Sequence, residues 1–79
     1  MPTLLEVEGF RFFFFSHEPH EPSHVHVERG EGRAKFWLWP VELVYARDVP
    51  RAEVRRAREL TVEHADEFRR RWAEYFGRR

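Results

Sequence analysis

Four of the five histidines in this chain lie close together, at positions 17, 20, 24 and 26. His24 and His26 alternate within a valine-rich segment, so in a β-strand they would point to the same face. Two imidazoles that titrate near neutral pH can act as base and acid when RNA is cleaved at a 2′-hydroxyl. The spacing therefore suggests a small ribonuclease or RNA-binding domain, with His24 and His26 as candidate catalytic residues.

Cationic neighbours for this pair follow from the register of a predicted hairpin formed by residues 24–29 and 33–39. Pairing His26 with Lys35 and Val25 with Phe36 keeps apolar side chains on one face, whereas a one-residue slip would bury charges. Residue 11 joins this polar face if the first hairpin extends the sheet. The candidate phosphate- and RNA-binding residues are Arg11, Arg33 and Lys35, with Trp37 placed to stack a base.

The same histidines also suggest a metal site. Imidazoles two residues apart on a strand can share one ion, and the preceding loop could fold back to add ligands. A solvated strand face beside a polar loop explains the same residues without any chemistry, so these interpretations stay open. The spacing dictates no particular metal or cofactor. The candidate metal ligands are His17, His20, His24 and His26, with Glu18 and Glu21 as further oxygen donors.

The elements that must position these residues divide the chain into two parts. Residues 1–47 are rich in Phe, Val and Trp and contain short turn signals, which predicts strands. The first hairpin joins residues 4–7 to residues 10–15 through Gly9, with Phe10, Phe12 and Phe14 on its apolar face. The second hairpin follows, and residues 41–46 after Pro40 predict an edge strand.

Residues 48–77 predict a helix that starts near residue 49, with Asp48 as its N-cap, and ends at Gly77. One straight helix of this length would be about 40 Å long. A globule of this size is only about 30 Å across. The helix must therefore break near residues 63–65, overhang the sheet, or pack against a second copy.

An overhanging helix end would expose aromatic side chains and so favour a partner. Phe68, Trp72 and Phe76 are the candidate partner-binding residues, and a homodimer through this helix is a further expectation. The arginines at 55–58 and 69–71 interleave with acidic residues, which is typical of a solvated, salt-bridged helix. His64, with Leu60 and Phe68 one turn away, is expected to be packed.

Composition sets the class of protein. A chain of 79 residues with 42% hydrophobic and 16% aromatic content predicts one small globular domain over residues 1–79. Cysteine is absent, which excludes disulfides and favours a reducing cytoplasm. No apolar run approaches roughly 18 residues and no basic-then-apolar leader is present, so neither a membrane span nor a signal peptide is expected. We predict an α+β fold: a four- or five-stranded, mainly antiparallel sheet with a long or broken C-terminal helix packed on one face.

Four segments carry a family likeness over nearly the whole chain: MPTLLEVEGFRFFFFSHE at the start, HVHV at 24–27, GRAKFWL at 32–38 and WAEYF at 72–76. Together they resemble the bacterial domain-of-unknown-function family 4160. Members of that family often have a proline directly before the first histidine of HVHV, whereas Ser23 intervenes here. The resemblance implies a bacterial cytosolic protein, encoded beside a second small protein and suspected to be a toxin–antitoxin component. It implies no catalytic residues.

Two classes of function follow. The first is a protein-interaction component of a toxin–antitoxin-like gene pair, which binds its partner through the helix end at residues 72–76 or through the edge strand at residues 41–46. The second is the ribonuclease or RNA-binding domain built on His24 and His26. Whether the protein is an enzyme stays open at this point.

Overall fold

Five antiparallel strands form one sheet, and two helices pack on one of its faces, in a computed structural model that describes residues 3–15 and 20–77. The strands follow one another in space as in sequence, so the first and the fifth form the edges of the sheet. The predicted α+β class is confirmed. The elements are β1 (Thr3–Val7), β2 (Phe10–Phe13), β3 (His24–Arg29), β4 (Gly32–Leu38), β5 (Val41–Arg47), α1 (Arg51–Glu63) and α2 (Ala65–Phe76).

The predicted register of both hairpins is confirmed. In the first, Val7 lies opposite Phe10 across a two-residue turn. Both turn residues, Glu8 and Gly9, have positive φ angles of 55° and 82°, which match the twist of the flanking strands. In the second hairpin His26 lies opposite Lys35, as the apolar pattern of the two strands requires.

The core lies between the sheet and the helices. The period-two alternation of strand side chains sends one set of apolar residues to the helical side. The ring centroids of Phe12 and Phe68 are 5.5 Å apart, which joins the middle of the sheet to α2. The strand side of the core consists of Phe10, Phe12, Phe14, Val25, Val27, Ala34, Phe36 and Leu38, and the helices add Ala57, Leu60, Phe68 and Phe76.

The C-terminal part contains two helices, so the alternative of one continuous helix is wrong. His64 separates them with φ −107° and ψ 12°. Its backbone N–H and its Nδ1–H both donate to the carbonyl of Leu60, at 3.0 and 2.9 Å. The break therefore falls at the predicted place, and it turns α2 back across the sheet instead of letting it overhang.

The start of α1 differs from the sequence prediction. Pro50 precedes the first helical residue, and its carbonyl accepts hydrogen bonds from Glu53 and Val54 at 2.9 Å. Asp48 is not the N-cap; it lies in the connection with φ 59°. The proline is favoured before the helix because its ring fixes φ near the helical value and its missing N–H needs no partner there.

The expected exposure of the α2 aromatic stripe is also wrong. Phe68 and Phe76 are buried in the core of this chain, and half-buried Trp72 packs against Phe14 with ring centroids 5.0 Å apart. The reason is the break at His64, since a turned α2 buries the stripe that an overhanging helix would have exposed.

One ion pair links α1 to the turn between β1 and β2. Arg56 Nη2 and Nε donate to the two carboxylate oxygens of Glu8, at 2.6 and 2.8 Å. This bidentate pair joins the β1–β2 turn to α1. The hydrogen bond from Arg56 is the largest cause of the lowered pKa of Glu8; desolvation opposes it, and the positive charges of Arg56 and Arg29 add to the lowering.

We expect the Glu8 carboxyl group to titrate below the ordinary pKa of glutamate in an NMR pH titration, and the substitution Arg56→Ala to raise its pKa. The folded state is stabilised by this pair above the ordinary pKa of glutamate, and the stabilisation is lost as the pH falls through the lowered value. The difference in free energy of unfolding between the native chain and Arg56→Ala should therefore shrink in acid. An unchanged pKa of Glu8 in Arg56→Ala would contradict the ion pair between the two residues.

Candidate functional site

The face of the sheet opposite the helices, here called the open face, carries the predicted site residues. Cross-strand pairing arranges them in rows, with Arg11 opposite Glu28, His26 opposite Lys35, and His24 opposite Trp37. The predicted juxtaposition is therefore present. The side chains of the open face are Arg11, Phe13, His24, His26, Glu28, Arg33, Lys35, Trp37, Glu42, Tyr45 and Arg47.

The two histidines lie on the expected face but are buried there. His24 is 0% exposed and His26 is 5% exposed. The His26 ring lies 4.4 Å from that of Phe15, and the His24 ring lies 4.8 Å from that of Trp72. His24 Nδ1–H donates to the carbonyl of Pro22 at 2.9 Å. His24 is therefore enclosed by aromatic rings, whereas His26, although nearly buried, borders a groove on this face.

Lys35 is engaged in the same layer. Its ammonium donates to Glu21 at 2.7 Å and lies 4.9 Å from the centroid of the Trp37 ring, and the residue is only 8% exposed. The Glu21 carboxylate also lies 3.7 Å from His24 Nδ1. Lys35 and Trp37 thus pack around the histidines. The ammonium of Lys35 is paired with Glu21 and with the Trp37 ring, so neither side chain is available to bind a ligand without giving up these contacts.

The arginines of the open face form a row next to this layer. Glu28 accepts from Arg11 at 2.8 Å and from Arg33 at 2.9 Å, which balances part of their charge. Arg47 lies directly opposite Arg33, and within the described residues it forms no ion pair. A shallow groove of about 510 Å³ runs along these residues, with Phe13 and Tyr45 in its wall.

The metal hypothesis finds no support in the described part of the chain. Residues 3–15 and 20–77 contain no group of three histidine, cysteine, aspartate or glutamate side chains that could hold an ion. His17 and Glu18 lie outside the described residues, and His20 is exposed. His24 Nδ1 already donates to a backbone carbonyl, as a packed histidine commonly does.

A second exposed region lies along β5, at the edge of the sheet. Every residue of β5 except half-buried Val41 is exposed, including Leu43, Val44 and Tyr45. Tyr45 pairs with Lys35 and Leu43 with Phe36, which leaves Val44 as a bulge in the centre. Trp39, in the turn before β5, is 77% exposed.

The sequence analysis predicted this edge strand but did not predict that Trp39 is exposed, because it placed Trp39 within the preceding strand. The signal was available in the neighbouring residue, since a proline after the tryptophan stops the strand and turns the side chain out of the sheet. Arg69 accompanies it, with its guanidinium carbon 4.8 Å from the centroid of the Trp39 ring.

Comparison with known proteins identifies the family. The family model described as domain of unknown function (DUF4160) matches residues 9–73. The chain belongs to this family. The match spans β2 to the greater part of α2, and it therefore includes the open face, the β5 edge and α1. Neither the curated proteins nor the solved structures contain a significant match to the chain. No helix in the described residues is both long and apolar enough to cross a membrane.

Burial of His24 predicts a structural cost for its removal. We expect His24→Ala to lower the free energy of unfolding by roughly 2–3 kcal/mol, because it opens a cavity below Trp72 and Trp37. His20→Ala, at an exposed position, is the matched control and should change stability by less than about 0.5 kcal/mol. Urea denaturation measures both. Equal stability of the two variants would contradict the packed role of His24.

Proposed function

We propose that this domain is a protein-interaction component of a toxin–antitoxin-like gene pair, and that it binds an extended segment of its partner along the β5 edge. The observation that supports this proposal is the free strand edge with Leu43, Val44 and Tyr45 exposed at its centre. The family likeness supplies the candidate partner, a small protein encoded beside such chains.

The free edge offers both affinity and specificity. An edge strand carries a row of backbone N–H and C=O groups that can pair with another chain, and the side chains beside them select the sequence that binds. In β5 the charged residues, Glu42 and Arg47, stand near the ends, and the apolar residues occupy the centre. A strand added there would therefore gain a ladder of hydrogen bonds and cover the apolar triplet.

The other edge of the sheet is less suited to this role. In β1, Leu4, Leu5 and Val7 are half-buried and pack against the core, whereas the apolar centre of β5 projects to solvent. Arg11 Nε also donates to Thr3 Oγ1 at 2.9 Å, which links the start of β1 to the neighbouring strand. The two edges therefore differ in the apolar surface that a new strand could cover.

The test uses the small protein encoded by the adjacent gene as the ligand. We expect Val44→Lys to weaken its binding at least about tenfold in isothermal titration, because a lysine at the centre of an edge strand opposes pairing with another strand. Ala73→Lys adds the same charge on the exposed side of α2 and should leave the affinity unchanged. Circular dichroism checks that both variants fold. Absence of a complex, or equal affinities for the two variants, would argue against the proposal.

RNA binding at the open face is a second candidate function, favoured by one contact. Arg47 lies directly opposite Arg33, and whereas Arg33 pairs with Glu28, Arg47 forms no ion pair within the described residues, so its guanidinium is the group that a phosphate would meet. Tyr45 stands beside them with an exposed ring on which a base could stack. The burial of His24 and His26 favours binding without cleavage.

Fluorescence anisotropy with a labelled oligouridylate tests this second candidate. We expect Arg47→Ala to reduce the slope of log affinity against log salt by about one unit, as for a lost phosphate contact. Arg70→Ala, which removes an exposed arginine from α2, is the matched control. Binding that is absent, or that both variants weaken equally, would exclude a specific site at Arg47, and cleavage of the RNA would contradict the enclosed histidines.

A further inference from the structure

We propose that the segment which adds to β5 is acidic, with carboxylate side chains at alternate positions that face the helical side of the sheet. This inference rests on the proposed strand addition and names the chemistry of the partner. It is carried by a row of three arginines on α1, Arg51, Arg55 and Arg58, here called the arginine stripe.

The arginines of the stripe are not paired with acidic residues in the described part of the chain, whereas Arg56, on another side of the same helix, is. Residues 51, 55 and 58 follow the i, i+4, i+7 spacing that places side chains on one helix face. All three are exposed, and within the described residues none forms an ion pair. On the opposite side Arg56 pairs with both Glu8 and Glu59. The expectation of a salt-bridged helix thus holds for one side of α1 and fails for the other.

Two contacts from the middle of α1 indicate that Arg58 lies on the side of the helix nearer the start of β5 and Arg56 on the side nearer the β1–β2 turn. Arg58 borders a hollow together with Val62 on the same side of the helix and Val41 at the start of β5. Arg56 reaches in the other direction, to the β1–β2 turn. Since α1 packs on β4 and β5, the side of the helix that carries Arg58 lies next to the start of the free edge strand.

The spacing of the stripe suits a strand added at this edge. Such a strand would lie about 4.8 Å beyond β5, and its side chains on one face would repeat about every 6.7 Å. Arg51 and Arg55, four residues apart, are separated by about 6 Å along the helix axis, and Arg55 and Arg58, three residues apart, by about 4.5 Å. Successive arginines can therefore meet successive side chains on the helical face of the added strand, and carboxylates are the groups that a guanidinium binds in a bidentate manner.

A second copy of this chain is a poorer occupant of the same edge. Two β5 strands can pair in antiparallel fashion only about a two-fold axis perpendicular to the sheet, which leaves both α1 helices on the same side. The two arginine stripes would then face each other without carboxylates between them. RNA would satisfy the arginines but not cover Leu43 and Val44, so the apolar centre favours a polypeptide.

The experiment compares three short labelled peptides that share valine at alternate positions and carry glutamate, lysine or serine between them. We expect the glutamate peptide to bind the full chain at least about tenfold more tightly than the lysine peptide, because only the former complements the stripe. The preference should decline with added salt. Arg55→Glu with Arg58→Glu should reverse it, whereas Arg70→Glu, a single reversal on α2, should leave it intact.

The outcomes separate this inference from the proposed function. Equal binding of glutamate and lysine peptides, lost in Val44→Lys, would overturn the acidic segment and leave strand addition standing. Retention of glutamate-peptide binding in Val44→Lys would place the acidic site away from the edge and overturn the inference. If no peptide binds, the affinity of Arg58→Glu for the small protein encoded by the adjacent gene is measured instead. An affinity equal to that of the native chain would then overturn the inference. Self-association of the chain that depends on Val44 would identify a second copy as the occupant instead.

Discussion

A single helical layer covers one face of a five-stranded sheet, so the opposite face has to be stabilised by its own side chains. This constraint explains the composition of the open face. Phe13 and Phe15 pack on the His26 ring, and Lys35 is held between Glu21 and Trp37. Long side chains with apolar stems and charged ends cover such a face while they stay hydrated at the tips. The histidines belong to this layer and contribute packing area to it.

The strand register could be predicted from the sequence because it pairs apolar residues with apolar ones and acidic residues with basic ones. In the β3–β4 hairpin, one register alone pairs Val25 with Phe36 and Glu28 with Arg33, and the structure has that register. The length of the predicted helix left three alternatives, a break near residues 63–65, an overhang or packing on a second copy, and the structure has the break, at His64. Its consequence for Phe68 and Phe76 did not follow, since burial depends on the direction in which α2 leaves His64.

The sequence predicted which residues of the candidate site lie together on one face, but it did not predict that the histidines among them are buried. Alternation along the strands places His24 and His26 on the same face as Lys35. It does not predict whether other side chains cover that face. The first hairpin pattern already put Phe13 and Phe15 on this face, and their rings pack on His26. His24 is covered instead by Trp37 and by Trp72 of α2, and the strand pattern gives no indication of the contact with α2. Acid–base chemistry on RNA requires that a phosphate reach both rings, and a residue with 0% exposure such as His24 does not meet this condition.

The bare edge at β5 is a consequence of how α1 is oriented. Burial of Ala57 and Leu60 sets the orientation of α1, and the side that carries Arg56 then lies towards the β1–β2 turn, where acidic and basic groups pair. Arg58 lies on the other side, near an edge strand whose apolar centre is not covered by any other element in residues 3–15 and 20–77. A chain with no net charge can still present a basic local surface in this way, because several of its acidic residues, among them Glu8 and Glu28, pair with arginines elsewhere. Charge at the arginine stripe and apolar surface at Leu43 and Val44 thus arise from one packing arrangement, and their combination distinguishes this edge from an ordinary solvated strand.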